Sequence, residues 1–445
     1  MEDFLRRNRI LALFCLFGFA LPSSHFAFAQ DTAELSLDDA VNYALEYNLS
    51  LRKIEIDLAT SGYSERNLWA EIFPSINATA SAGYRSSLFS GVQAANSGPN
   101  YSIGLGMSLG LNAGIPYAIR NIKLAHQSNI LRYEDACNQL SIQITKIFYS
   151  LVAEKNNLLL LEEVLTQAQR QYTRSEISFR NGLVGELSLR QSSLALENAR
   201  YNLSAARINH ANNMTEFQAM LGMPYNADLS LLGEVNIERI EVDANSLIRE
   251  HLPQRPDIVR ASREIERLQH AQRQSVMQNR APSLNLSMEW NSSTFDPFSD
   301  TLNATARLTI PIDSWIPGTS RQQTISGIES SIEKARLDLQ ITETSAQTQI
   351  RSLSVLLRNS WDSILIARLS LSAAERSYQL TEQGFLNGTV EALTLDDARN
   401  NMASARQRLL QSELSYFNMI LDLSAALNTE WKNIIQTFGV QNEER

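Results

Sequence analysis

Cysteine is nearly absent: two in 445 residues. Cys15 sits in an early apolar run behind Phe14, a poor lipidation context, and Cys137 alone remains beyond it. One thiol closes no internal disulfide, so no disulfide framework holds this chain together. Apart from the early run, no stretch approaches 18 consecutive apolar residues, which excludes a transmembrane helix. His126, His210, His251 and His270 have neither metal-ligand spacing nor partner cysteines, so no metal centre is expected. Neither a Ser-His-Asp set nor a carboxylate pair stands out, so neither catalysis nor a cofactor is expected. Gly104, Gly106 and Gly110 resemble a phosphate loop only superficially, because they alternate inside a strand pattern.

What is present begins with an export signal. Arg6, Arg7 and Arg9 precede a twelve-residue apolar run, residues 10–21, and Ala27-Phe28-Ala29 supplies a small-x-small cleavage site. Cleavage after Ala29 leaves 416 residues beginning at Gln30, with 36 basic and 46 acidic side chains and a net charge of −10. Such an acidic exported protein is not expected to bind nucleic acid.

The remainder is a duplication. Phe179-Arg180-Asn181-Gly182-Leu183-Val184 returns as Phe385-Leu386-Asn387-Gly388-Thr389-Val390, offset by 206 residues, and Pro74-Ser75-Ile76-Asn77 returns as Pro282-Ser283-Leu284-Asn285, offset by 208. Two copies at this period make a duplicated domain rather than a solenoid. Residues 117–181, 328–383 and 389–438 contain no Gly or Pro over 65, 56 and 50 positions, far beyond an ordinary globular helix of about 11–12 residues. A 65-residue helix reaches roughly 100 Å. Leu189, Leu196 and Leu203, and then Leu395, Met402, Leu409, Tyr416 and Leu423, recur every seven residues. Small residues follow three positions later: Ser192, Ala199 and Ala206, then Ala398, Ala405 and Ser412. This spacing predicts long, closely packed coiled-coil rods.

Four segments alternate with period two. Tyr101, Ile103, Leu105, Met107, Leu109 and Leu111 alternate with Ser, Gly and Asn, and residues 76–85, 284–291 and 302–310 behave likewise. Strands of about 9–12 residues with one apolar face fit a tilted crossing of an outer membrane. Tyr84, Tyr101 and Trp290 lie beside the loops at residues 86–100 and 291–300, which suits an aromatic girdle. Four strands cannot close a barrel, and an open edge in hydrocarbon leaves backbone groups unpaired, so a homo-oligomer is required.

Together these features resemble the TolC family of outer-membrane efflux proteins over residues 34–430. Leu35-Ser36-Leu37-Asp38-Asp39-Ala40, with Ala44-Leu45-Glu46-Tyr47-Asn48, looks like the family's opening segment, and Arg255-Pro256-Asp257-Ile258 like its mid-chain Arg-Pro-Asp motif. The resemblance implies a mostly α fold with a small β part: a duplicated unit of helix, two strands and long helical hairpin. Three chains would form a 12-stranded outer-membrane β-barrel continued by a periplasmic helical barrel.

The expected organisation is a signal peptide over residues 1–29, a first repeat over 30–224 and a linking equatorial segment over 225–246. A second repeat over 247–430 and a tail over 431–445 complete it. Strands are expected at about 75–86, 101–112, 283–291 and 301–312, and helical hairpins at about 117–222 and 320–428. By the same resemblance, the hairpin tips dock onto a periplasmic adaptor (membrane fusion) protein coupled to an inner-membrane pump of RND or ABC type. The tip residues are Gly182, Leu183 and Val184, then Gly388, Thr389 and Val390. Asp397 looks like one of the family's acidic constriction positions, Thr394 stands where another aspartate is expected, and Ser188 replaces an acid in the first half. The alternatives are a periplasmic coiled-coil scaffold without a channel, and an outer-membrane channel for uptake of small hydrophobic solutes.

Overall fold

The computed structural model describes residues 33–85, 98–224, 229–233, 237–293, 299–387 and 389–439. The export signal, Gly388 and most of the loop at 86–100 lie outside them. A short strand β1 (Ala33–Leu35) leads into α1 (Leu37–Tyr47) and α2 (Leu49–Arg66). Asn48 both ends α1 and starts α2: its side-chain oxygen accepts from Ser50 N and Leu51 N at 2.9 and 3.0 Å, satisfying donors that a helix start leaves unpaired. Pro74 then stops the helical path before β2 (Ser75–Arg85) and β3 (Gly98–Asn112).

The first hairpin follows as α3 (Ile115–Arg180, 66 residues) and α4 (Glu186–Leu221, 36 residues). β4 (Leu229–Leu231), α5 (Ala244–His251) and α6 (Pro256–Arg280) lead to β5 (Ser283–Ser293) and β6 (Ser299–Thr309). The second hairpin is α7 (Ser320–Leu386, 67 residues) and α8 (Ala392–Leu427, 36 residues), and α9 (Trp431–Phe438) ends the described chain. Both ends of α8 fall 206 residues after those of α4, the sequence offset reappearing as geometry.

Strand boundaries shift by up to three residues from the sequence expectation, β3 beginning at Gly98 rather than 101. β6 stops at Thr309, short of residue 312, because Pro311 has no amide to donate to a ladder. The breaker-free stretch 389–438 is not one rod. Asn428 takes φ 52°, and Asn428 N and Thr429 N turn back onto Ala425 O and Ser424 O, so the chain reverses into α9 without Gly or Pro.

Helix contacts run in the order α4, α3, α8, α7 through the hairpins and α2, α3, α6, α7 nearer the sheet. Each repeat has its own core where the hairpin meets the equatorial segments. The first is built on Phe148, Phe217, Leu221, Ala40, Ala44 and Leu51. The second uses Ile350, Leu357, Trp361, Ile364, Tyr416 and Leu427, closed by Ile240, Leu247 and Ile434. Ile142, Phe417 and Leu421 seal one core to the other.

The equatorial region was opaque in the sequence. β1 pairs in parallel with β4, and Ile240 bridges Gly439 in the other repeat. Tyr416 ties that second closure: its hydroxyl accepts from Ile240 N at 2.9 Å and donates to Glu238 O at 3.0 Å.

Candidate channel elements

The four long strands form one antiparallel sheet in the order β2-β3-β5-β6. Residues directly opposed in such a ladder share a face, and the register sorts the side chains cleanly. Ile76 opposes Met107, which opposes Met288, which opposes Ala304; Leu111 opposes Leu284, which opposes Leu308. The other face carries Ser75, Ser108, Ser287 and Thr305, and next to them Asn77, Gly106, Glu289 and Asn303. Serine hydroxyls bond across the polar face, Ser75 to Ser108 at 2.7 Å and Ser81 to Ser102 at 2.8 Å.

Gly104 and Gly106 sit on this polar face. A Cβ at Gly104 would collide with Asn291 Oδ1, and one at Gly106 would stand 2.7 Å from Asn77 Oδ1. These glycines make room for their neighbours' amides, which explains the spacing that resembled a phosphate loop. Both outer strands, β2 and β6, have no partner along their free edges among the described residues.

Of the three aromatic residues, Tyr84 opposes Pro99 and Tyr101 opposes Ala82, both close to the loop end. Trp290 opposes Leu105 and Leu302, four positions further along β3 than Tyr101. All three lie on the apolar face.

At the far end, the two hairpin reversals share one matching hydrogen bond. Gly182 adopts φ +70°, its N–H donates to Phe179 O at 2.9 Å, and Leu183 N–H reaches back to Ser178 O at 2.8 Å. This is a Schellman closure, in which a left-handed residue lets the chain satisfy its last carbonyls. In the second tip Thr389 N–H donates to Gly384 O at 2.9 Å, the same bond 206 residues later. Leu183, Leu187 and Leu393 are exposed, whereas Val184 and Val390 tuck partly inward.

The residues expected at a constriction divide by exposure. Thr394 and Asp397, one turn apart on α8, are both exposed, and Ser188 on α4 is half-buried. Asp396 turns the other way, into a groove between the hairpins lined by Asn157, Ser192, Asn400 and Gln407. There Arg399 donates to it at 3.1 Å, and the same guanidinium lies 6.0 Å over the Tyr378 ring. Burial raises the Asp396 carboxyl above its ordinary value against the opposing pull of Arg399, and neighbouring Asp397 adds to the rise. Sequence reading missed this pair; the i, i+3 spacing of Asp396 and Arg399 was its only signal.

The Arg-Pro-Asp motif proves to be an anchor. Pro256 occupies the first turn of α6, and Arg255 Nη2 donates to Asp257 Oδ2 at 2.8 Å. Arg255 Nη1 then donates to Ala426 O at 2.9 Å, stapling the start of α6 to the end of α8. Asn48 does the same job in the first repeat, with Nδ2 on Met220 O at 2.7 Å. Burial works to raise the Asp257 carboxyl, but the Arg255 hydrogen bond and charge outweigh it and hold it below the ordinary range.

This arrangement, an amphipathic sheet continued by long paired rods, has a counterpart among known proteins. The model of the outer membrane efflux protein family matches residues 40–223 and 247–429, most of the chain. The chain belongs to this family. The toluene efflux pump outer membrane protein TtgC of Pseudomonas putida is 24% identical over 415 residues, covering 89% of this chain and 83% of TtgC. The outer membrane channel CmeC of Campylobacter jejuni superposes with a TM-score of 0.75 at 19% identity, over 90% of this chain and 88% of that one. The MtrE outer membrane channel of Neisseria gonorrhoeae gives 0.71 at 16% identity, over 88% and 89%.

As an outer membrane efflux protein, the chain works in the outer membrane and extends into the periplasm, and its task is export. That sets aside both the scaffold and the uptake channel. The family is one of channels rather than catalysts.

Proposed function

We propose that the protein is the passive outer-membrane duct of a tripartite efflux or type I secretion assembly. It works as a homotrimer and opens at its periplasmic tips when an adaptor coupled to an RND or ABC-type inner-membrane pump engages them. The observation that carries this reading is the pair of bare sheet edges on β2 and β6. In hydrocarbon each unpaired backbone group costs several kcal/mol, so the sheet must close on further copies. Three chains give twelve strands joined head to tail, β6 to β2, with the apolar face in lipid and the polar face lining the lumen.

The rods support the same closure. α4 and α7 end the helix order on opposite flanks, and both carry exposed apolar residues: Leu187, Leu194, Tyr201 and Ile208 at heptad spacing on α4, and Ile366, Leu369 and Leu380 on α7. In the ring, Tyr84, Tyr101 and Trp290 face lipid headgroups, and Asp397 with Thr394 lines the narrow end. The two tips present Leu183 and Thr389 to the adaptor. Three Asp397 carboxylates close together favour cations, as acidic rings do in cation channels.

The test is the purified protein in detergent and in planar bilayers. A native mass of three chains, a conducting pore, and reduced cation selectivity in Asp397→Ala are expected. A native mass of one chain overturns the duct reading, and unchanged selectivity removes the role of Asp397.

A further inference from the structure

The polar face of the sheet is built almost entirely from serine, threonine, asparagine and glycine. Away from the loop end its ionisable residues are Glu289, opposite Gly106 and Asn303, and Arg307, opposite Asn285. Arg307 stands two residues before the rod end of β6. Its neighbours on that face are all uncharged: Asn285 directly across, Ser283 and Ser287 diagonally, Thr305 and Thr309 along its own strand. Beyond Asn285 lies Gly110, where an added Cβ would meet nothing within 4 Å, so the surface there is open.

Both Arg307 and Glu289 are exposed, and neither side chain makes a hydrogen bond or ion pair among the described residues. Nor do they serve each other. Arg307 lies four residues along β6 from Asn303, the residue opposite Glu289. That is about 13 Å along the strand, more than the Debye length of about 8 Å in physiological salt. The two charges therefore act separately. A guanidinium with no partner in the sheet adds nothing to the ladder, and its field falls on whatever occupies the space in front of it.

We infer that Arg307 is a specificity-determining residue of the duct, its threefold ring at the base of the barrel gathering solutes that carry an oxyanion group. Twelve strands about 4.8 Å apart and tilted by roughly 40° enclose a backbone cylinder of about 12 Å radius. An arginine side chain spans much of that distance, so a solute near the axis feels three guanidiniums at once. Carboxylate, phosphate and sulfate suit the guanidinium fork, which holds two oxygens together. Glu289 bounds the site on the loop side. The ring is opposite in sign to that of Asp397 beyond the rods, so a solute bearing both charges meets a favourable ring at each end of the helical barrel.

This rests on the homotrimeric duct, and the test separates the two. In the full-length protein carrying Cys137→Ser, Asn285→Cys places a thiol directly across from Arg307, and Asn303→Cys places one directly across from Glu289. Each variant is treated in detergent with an anionic methanethiosulfonate reagent, with and without inorganic pyrophosphate. Pyrophosphate should slow modification of Asn285→Cys about tenfold, at a concentration that leaves Asn303→Cys unprotected. Arg307→Gln should abolish the protection, and Arg307→Lys should keep part of it, since charge persists without the fork. In planar bilayers under a salt gradient, Arg307→Gln should move the reversal potential toward cations. A trimer whose Asn285→Cys is unprotected, or equally protected with glutamine at 307, overturns the inference, as does an unmoved reversal potential. A wild type with the native mass of one chain, or without a conducting pore, fails the duct reading instead.

Discussion

The two repeats hold the same backbone turn with different residues at the end of their second hairpin helices. Gly222 at φ +83° closes α4 and Asn428 at φ +52° closes α8, each returning the same pair of hydrogen bonds to its helix. The difference lies in the surroundings. A Cβ on Gly222 would stand 2.5 Å from the carbonyl oxygen of Tyr47, whereas Asn428 has space for a side chain and uses it to reach Asn138. Likewise the first repeat anchors its turn with Asn48 and the second with Arg255. Duplication preserved the hydrogen-bond geometry and left residue identity to local space and charge.

The sharpest break of that comparison is Gly222→Ala. The left-handed conformation costs roughly 1–2 kcal/mol for a residue with Cβ, and overpacking against backbone adds about 1–3. A loss of about 2–5 kcal/mol in thermal unfolding of the purified protein is expected, whereas Asn428→Gly should stay within about 1 kcal/mol. Equal losses would mean that the two turns are packed alike.

Next comes the anchor. Arg255→Ala removes a bidentate partner and strands the half-buried Asp257, with an expected loss of about 2–4 kcal/mol. Asn48→Ala should lose about 1 kcal/mol, as for a helix cap. Arg255→Lys should recover little, since an ammonium cannot reproduce the fork. Full recovery by lysine would reduce the anchor to simple charge.

Two arginine-paired aspartates then part with pH. Asp257 is held below its unfolded value, so its stabilising contribution is present above the ordinary carboxylate range and lost as pH falls through the folded value. Asp396 is raised by burial, so its contribution is present in acid and lost as pH rises through the folded value. Melting curves at a series of pH values should show Asp257→Asn destabilising at neutral pH, with Asp396→Asn neutral or stabilising there. Equal behaviour of the two variants would contradict the opposite shifts.

A local rather than global effect is expected from Gly182→Ala. Its φ of +70° resembles that of Gly222, but nothing lies within 4 Å of the added Cβ. The cost is the conformational term of roughly 1–2 kcal/mol, confined to the tip turn. Global melting should hardly move, and loss of export in a drug-susceptibility assay should report the altered tip. Unchanged export would take the first tip out of the docking surface.

Much of the fold was legible because its signals are periodic. The strict alternation of residues 101–112 could only make a two-faced strand, and the register confirms each face residue by residue. The rods were legible because Gly and Pro are missing from them. What stayed hidden depends on partners distant in sequence. β1 and β4 are three residues each and exist only because they pair with one another across the first repeat. The turn at Asn428 carries no ordinary breaker, and its sequence clue was Gly222 one repeat earlier. Asp397 is exposed on α8, but the half-buried Asp396–Arg399 pair became visible only when the hairpins were set side by side.

The bare edges of β2 and β6 also bear on how the protein is made. An edge strand of eleven residues presents a row of unpaired donors and acceptors, tolerable in water and ruinous in oil. A single chain therefore has no stable resting place in the bilayer, and membrane entry cannot precede assembly. On the homotrimer proposed above, biogenesis becomes a problem of concentration, because delivery has to wait for three chains to meet. Chains that wait too long do so as soluble species with adhesive edges, the form most exposed to proteolysis and to pairing with the wrong neighbour.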